Sequence, residues 1–196
     1  SDGCADLNQV TTALDEIVSN INHSCFIVVK STVPVGTGTL LCKRIKALVY
    51  ERNIDINLEV LSNPEFLREG VAIEDCLSPD RVVIGASSDE AIAIMKELYK
   101  PFATEDRIFI MDPLSAEITK YAANTMLAAR ISFMNEIAGL CDKVGADVVA
   151  VKEGIASDKR IGKYFLNAGC GYGGSCFPKD VKALYHVGES QGLDMT

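Results

Sequence analysis

The sequence predicts an α/β chain that turns all-α after residue 112. Through the first 112 residues, short apolar runs alternate with segments of helical period, the order expected of parallel strands joined by crossover helices. From Ser115 to about Val144 the chain has few breakers and repeats its apolar residues at helical spacing. That stretch predicts one helix far longer than the globular mean of about 11–12 residues.

The elements follow in order. Ala5 to Ile21 reads as an amphipathic helix, with Leu7, Val10, Leu14, Ile17 and Val18 on one face, and Cys25 to Lys30 as a buried strand. Gly36 to Tyr50 is helical, Leu58 to Leu61 and Arg81 to Gly85 are strands, Asp89 to Tyr99 is a helix, and Arg107 to Met111 is a further strand. Asp112 can cap the long helix with Pro113 in its first turn, and Gly145 can end it. The loop-like Ser1-Asp2-Gly3-Cys4 runs straight into the first helix, so the opening strands of the sheet are expected upstream of a truncated chain.

Composition narrows the function. Hydrophobic residues make up 48% of the 196, ample for a packed core, and the formal net charge of -8 argues against a nucleic-acid partner. No apolar run reaches the roughly 20 residues that span a bilayer, and the first residues are polar and acidic. A soluble, cytoplasmic protein with no membrane partner is expected. The seven cysteines (Cys4, Cys25, Cys42, Cys76, Cys141, Cys170 and Cys176) contain no C-x-x-C, and there are two histidines, His23 and His186. Neither a metal site nor a disulfide framework is expected. Most of the cysteines read as small buried hydrophobes. The histidines have no acidic or serine partner at a suggestive spacing, so a histidine-based nucleophile is not supported.

Cys176 is the exception. It lies in Gly171-Tyr172-Gly173-Gly174-Ser175-Cys176-Phe177-Pro178-Lys179-Asp180, a glycine turn with a helix opening at Pro178 and a lysine nearby, an arrangement that activates a thiol. Gly169, Gly171 and Gly174 satisfy G-x-G-x-x-G, but Tyr164 to Ala168 before them reads as a helix end rather than a strand, so the dinucleotide reading is rejected. Lys30 to Thr37 and Ser62 to Gly70 each follow a strand, where open parallel sheets bind ligands. The hydroxyls and helix N-terminal amides of the first could hold a ribose or phosphate, or simply cap a helix. Lys120 and Asn124 share a face of the long helix; by composition Lys120 snorkels to solvent more readily than it points into a cleft. Arg160-Ile161-Gly162-Lys163 is a compact basic element suited to a diphosphate or to plain surface.

Ser31-Thr32-Val33-Pro34, Asn63 to Gly70, Pro79-Asp80-Arg81, Asp158 to Gly162 and Gly173 to Asp180, in this order, resemble the UDP-glucose/GDP-mannose dehydrogenase family along nearly the whole chain. The resemblance implies a truncated Rossmann-like sheet (residues 1–112, the later part of an NAD-binding domain without its glycine fingerprint). An all-α central dimerisation domain would follow (113–196, truncated at its C-terminus).

It implies NAD as cofactor, a nucleotide sugar as substrate and a homodimer formed through the long helix. The implied reaction is a two-step oxidation of a primary alcohol to a uronic acid through a cysteine-bound thioester. By resemblance Cys176 is the nucleophile, Lys120 stabilises the oxyanion, Asn124 helps place it, Asp180 orients a proton-transferring water, and Glu65 is the hydrolytic base or its partner. Thr32, Glu69 and Ser175 lie at the cofactor, Thr32 with a catalytic part as well. The backbone of Phe66, Leu67 and Arg68, with Asn167, Tyr172 and Gly173, lines the substrate, which Lys120 and Asn124 also touch, and Arg160 reaches it across the dimer. UDP-glucose is expected ahead of GDP-mannose or a UDP-N-acetylhexosamine, and the 196 residues alone are expected to be inactive. The competing expectation is a non-catalytic helical assembly module with a structural cysteine.

Overall fold

The computed structural model describes residues 6–195, so the expectations for Ser1 to Cys4, and for Ala5 as the first helical residue, lie outside the described residues. The chain divides into two compact units, one ending at Lys120 and one beginning at Tyr121.

In the first unit, α1 (Asn8–Asn20), β1 (Cys25–Val29), α2 (Thr37–Glu51), β2 (Leu58–Ser62), α3 (Ala72–Leu77), β3 (Val82–Gly85), α4 (Asp89–Tyr99) and β4 (Ile108–Met111) lead into α5 (Pro113–Val144). The period-2 alternation of the strands divides the core into two layers. Cys25, Ile27, Val29, Leu58 and Val60 face Leu14 and Val18 of α1 and Leu41 and Ile45 of α2. Phe26, Val28, Leu61, Val82 and Ile84 face Ala91 and Met95 of α4. Ser88 caps α4, its hydroxyl accepting from the Ala91 amide at 3.2 Å. Asp112 caps α5 as expected, accepting from the Ser115 amide at 3.0 Å.

The strand order is β1-β2-β3-β4, with β1 parallel to β2 and β3 parallel to β4. An all-parallel sheet was expected, but β3 runs antiparallel to β2, paired through Ser62 and Gly85. The connection explains the reversal. A parallel crossover needs an element long enough to carry the chain back along the sheet, whereas α3, which the sequence reading did not anticipate, is a six-residue helix with no buried residue. The chain therefore re-enters the sheet from the end at which it left. Arg81, the residue before β3, lies with its guanidinium carbon 4.0 Å from the centroid of the Phe66 ring in the loop that follows β2.

The second unit holds the rest of α5, α6 (Val148–Ala156) and α7 (Phe177–Ser190). Asp147 caps α6, accepting from the Val149 amide at 2.8 Å. Residues 164–168 are turn and irregular chain rather than the helix end read from sequence, and no strand precedes the glycines at 169–174. Along α5, Ala122, Met126, Ala129, Phe133, Glu136 and Leu140 are exposed at alternating spacings of four and three. Met126, Phe133 and Leu140 leave 64%, 54% and 57% of their surface open. No helix among the described residues is long and apolar enough to cross a membrane.

Candidate active site

In the first unit a shallow cleft is lined by Ser31, Thr32, Val33, Ser62, Pro64, Glu117 and Lys120, at the carboxyl ends of β1 and β2. Lys120, expected from composition to snorkel, is buried, with only 4% of its surface exposed. Its Nζ lies 3.5 Å from Glu65 Oε1 and 5.1 Å from the centroid of the Phe66 ring. Burying an ammonium requires such compensation, and the carboxylate and the negative face of the ring both supply it. Glu65 Oε2 also accepts from the Leu67 amide at 2.6 Å, which ties the turn of the 63–69 loop to the same carboxylate. Asn63, 2% exposed, bridges the reversed strand pair: its Nδ2 donates to the Val83 carbonyl at 2.7 Å. Its Oδ1 accepts from Lys30 Nζ at 2.8 Å and from Tyr99 Oη at 2.5 Å.

The residue that sequence reasoning missed here is Glu117, one turn before Lys120 on α5 and 4% exposed. Its Oε2 accepts from the Gly36 amide at 2.6 Å and its Oε1 from the Gly38 amide at 2.8 Å. Two glycines make this possible. Gly36 has φ +92°, a conformation that side chains disfavour, and a Cβ on Gly38 would stand 3.2 Å from the carboxylate. Burial raises the Glu117 carboxyl above the ordinary range, an effect opposed by the two amide hydrogen bonds.

The N-terminus of α2, read from sequence as a possible seat for a phosphate or ribose, thus already holds an internal carboxylate. The hydroxyls of Ser31 and Thr32 remain at the cleft. The hydroxyls of Ser31 and Thr32 can hydrogen-bond a ribose, whereas a diphosphate at these amides would meet the Glu117 carboxylate.

Not every predicted residue faces this cleft. Arg68 directs its guanidinium to Asp75, with contacts of 2.5 to 3.2 Å, and its own amide donates to the same carboxylate at 2.8 Å. The pairing raises Arg68 and lowers Asp75 relative to their usual ranges. Its backbone, with that of Phe66 and Leu67, carries the loop, in which Glu69 is exposed.

In the second unit, Asp180 is 1% exposed and Asn124 8%. Asn124 Nδ2 donates to Asp180 Oδ2 at 2.6 Å, and Lys179 Nζ donates to Asp180 Oδ1 at 2.8 Å. Cys176 stands at the start of α7 with Pro178 in the first turn, and the Asp180 amide donates to the Cys176 carbonyl at 2.9 Å. One helical turn therefore separates the exposed thiol from a buried, hydrogen-bonded carboxylate. Ser175 Oγ lies 3.6 Å from Cys176 Sγ. Lys179, expected beside the thiol, is engaged by Asp180.

Tyr172 packs edge-on against Phe177 with ring centroids 6.5 Å apart, which braces the exposed turn containing Gly173. Arg160 folds back on Asp158 at 2.6 Å and stays exposed, and Asn167 accepts from Lys152 at 3.2 Å. His186, read as lacking an acidic partner, lies 3.4 Å from Glu189 on α7. Cys76 and Cys170 are exposed rather than buried, while Cys141 is buried and Cys25 and Cys42 are partly so. Cys4 lies outside the described residues.

Family models match in two places. The NAD binding domain of the UDP-glucose/GDP-mannose dehydrogenase family covers residues 1–103, and the central domain of the same family covers 114–196. The chain belongs to this family. A UDP-glucose 6-dehydrogenase of Pseudomonas aeruginosa is 47% identical over 194 residues, 98% of this chain and 43% of the relative. One of Bacillus subtilis is 48% identical over 188 residues, 95% of this chain and 41% of the relative. The structure of a UDP-glucose dehydrogenase from Pyrobaculum islandicum superimposes with a TM-score of 0.89 at 43% identity, covering 98% of this chain and 44% of that one. The chain thus spans less than half the length of the relatives it matches.

Proposed function

We propose that this protein oxidises a nucleotide sugar, UDP-glucose to UDP-glucuronate, with NAD, through a thiohemiacetal and a thioester on Cys176. The observation that carries this is the buried Asn124–Asp180 pair one helical turn from the exposed Cys176 thiol, in a chain of this family. NAD, when bound, supplies the hydride acceptor for both oxidations. The Cys176 sulfur adds to the aldehyde carbon, which traps the aldehyde. After the second oxidation the carbon is a thioester, and water cleaves it to the carboxylate and free thiol.

Lys120 stabilises the oxyanion and Asn124 helps place it. Asp180 orients the water for proton transfer, and Glu65 serves as the hydrolytic base or its partner. Thr32, Glu69 and Ser175 contact the cofactor, with Thr32 also acting in the oxidation. The Phe66 to Arg68 backbone, Asn167, Tyr172 and Gly173 line the sugar nucleotide, and Arg160 reaches it from a second copy.

In the same reading residues 1–112 belong to the NAD-binding domain and 113–196 to the central domain. Assaying the full-length protein with UDP-glucose, GDP-mannose and a UDP-N-acetylhexosamine decides the substrate. The expected result is turnover of UDP-glucose with two NADH formed per sugar; one NADH per sugar, or preference for either other substrate, refutes it.

The exposed heptad face of α5 supports a homodimer, because apolar residues at these spacings form the seam of paired helices. Light scattering is expected to give twice the monomer mass. A monomer at high concentration, or a dimer that survives Phe133→Glu and Leu140→Glu unchanged, counts against this seam.

A further inference from the structure

Two cations lie over one aromatic ring beside the cleft. Arg81 stands with its guanidinium carbon 4.0 Å from the centroid of Phe66, and Lys120 with its ammonium 5.1 Å from the same centroid. Arg81 immediately precedes β3, whose antiparallel pairing with β2 sets the last residues of the two strands side by side. We propose that the Phe66 ring, clamped by Arg81, is the positioning element that holds the Lys120 ammonium in place for its work on the oxyanion.

The inference rests on the reading of Lys120 given above and adds the group that fixes it. Lys120 is a long side chain with several rotatable bonds, and its ion pair to Glu65, at 3.5 Å, is too loose to set an orientation on its own. A ring is different: it attracts the cation along its face and blocks the space into which the ammonium would otherwise swing. The ring in turn needs a fixed plane. The guanidinium of Arg81 lies over the ring with its carbon 4.0 Å from the centroid, which restrains that plane, and burial of that guanidinium lowers its affinity for its proton, as expected for a cation packed on an apolar surface. The 63–69 loop joins the same assembly, because Glu65 meets both Lys120 and the Leu67 amide. The ring, its two cations and the loop are therefore joined by direct contacts.

The test uses the full-length protein and two readouts. The first is the rate at which acetic anhydride acetylates Lys120, mapped by mass spectrometry against exposed lysines as internal standards. The second is kcat and KM with UDP-glucose and NAD. Phe66→Leu is expected to raise Lys120 acetylation several-fold and to lower kcat about thirtyfold, the factor corresponding to one desolvated cation–π contact, with a much smaller change in KM for NAD. Phe66→Tyr keeps the ring and is expected to restore slow acetylation and most of the lost kcat.

Arg81→Met, a variant that keeps the side-chain stem, is expected to raise acetylation by a smaller factor. Equal acetylation of Lys120 in wild type, Phe66→Leu and Arg81→Met overturns the proposal. Lys120→Ala separates it from the functional reading: turnover that survives that change refutes the oxyanion role, while the acetylation rates still decide whether the ring holds the lysine.

Discussion

Replacing Cys176 by Ser in the full-length protein is expected to stop uronic acid formation by roughly 10³-fold or more. The hydroxyl of serine is a far weaker nucleophile than a thiol, so the aldehyde is no longer captured. The second oxidation needs the tetrahedral adduct, because a free aldehyde has no carbon bearing both a departing hydride and an alkoxide. The first oxidation does not involve the thiol, so any NADH that forms is limited to one per sugar and accompanies aldehyde. The buried Asn124–Asp180 bond is not part of this change, since Cys176 is exposed and its side chain is not in the α7 helix core. Melting temperature is therefore expected to stay within a degree or two of wild type, which separates loss of chemistry from loss of fold. Following NADH and product together settles the matter. Normal uronate production by the serine variant refutes the covalent route, whereas one NADH per sugar with trapped aldehyde supports it.

The sequence disclosed the elements and the reactive motif more readily than the directions and partners. β1, β2, α2, α4 and α5 follow from apolar periodicity and, for α5, from the cap at Asp112, because those signals are local. Strand direction is not local. The run Arg81 to Gly85 reads as a strand whichever way it points, and the reversal depends on how far the 63–81 connection travels. Burial of Lys120 was equally hidden, since an isolated lysine on an alanine-rich helix favours solvent until Glu65 and Phe66 come to meet it. Glu117 was the largest omission. In Ala116-Glu117-Ile118-Thr119-Lys120 it resembles any surface glutamate. Only the folded chain sets it against the amides of Gly36 and Gly38. The available clue was a pair of glycines in Val35-Gly36-Thr37-Gly38, which admit a carboxylate where larger residues would exclude it.

That carboxylate carries the second large effect, on stability. Glu117→Ala removes the acceptor of two amides at once and leaves both donors in a largely enclosed position, so a loss of roughly 2–4 kcal/mol is expected at neutral pH. Glu117→Gln retains one carbonyl oxygen but places an NH₂ against the second amide, and roughly half that loss is expected. The pH dependence has a definite sign. Because burial raises the folded-state carboxyl above its usual value of 4.5, the folded state holds the proton more tightly than the unfolded chain does. The contribution of this group is therefore fully present below the unfolded value and declines as pH rises through the folded one. The gap between wild type and Glu117→Ala should narrow as pH rises above 4.5 and through the raised folded-state value. Urea unfolding of the full-length protein at several pH values measures both quantities. A widening gap would mean that the amide hydrogen bonds outweigh desolvation and lower the carboxyl instead. No gap at any pH would mean that Glu117 does not secure the start of α2, and that the Ser31-Thr32 loop keeps its place beside Lys120 by packing of Val33 and Thr37.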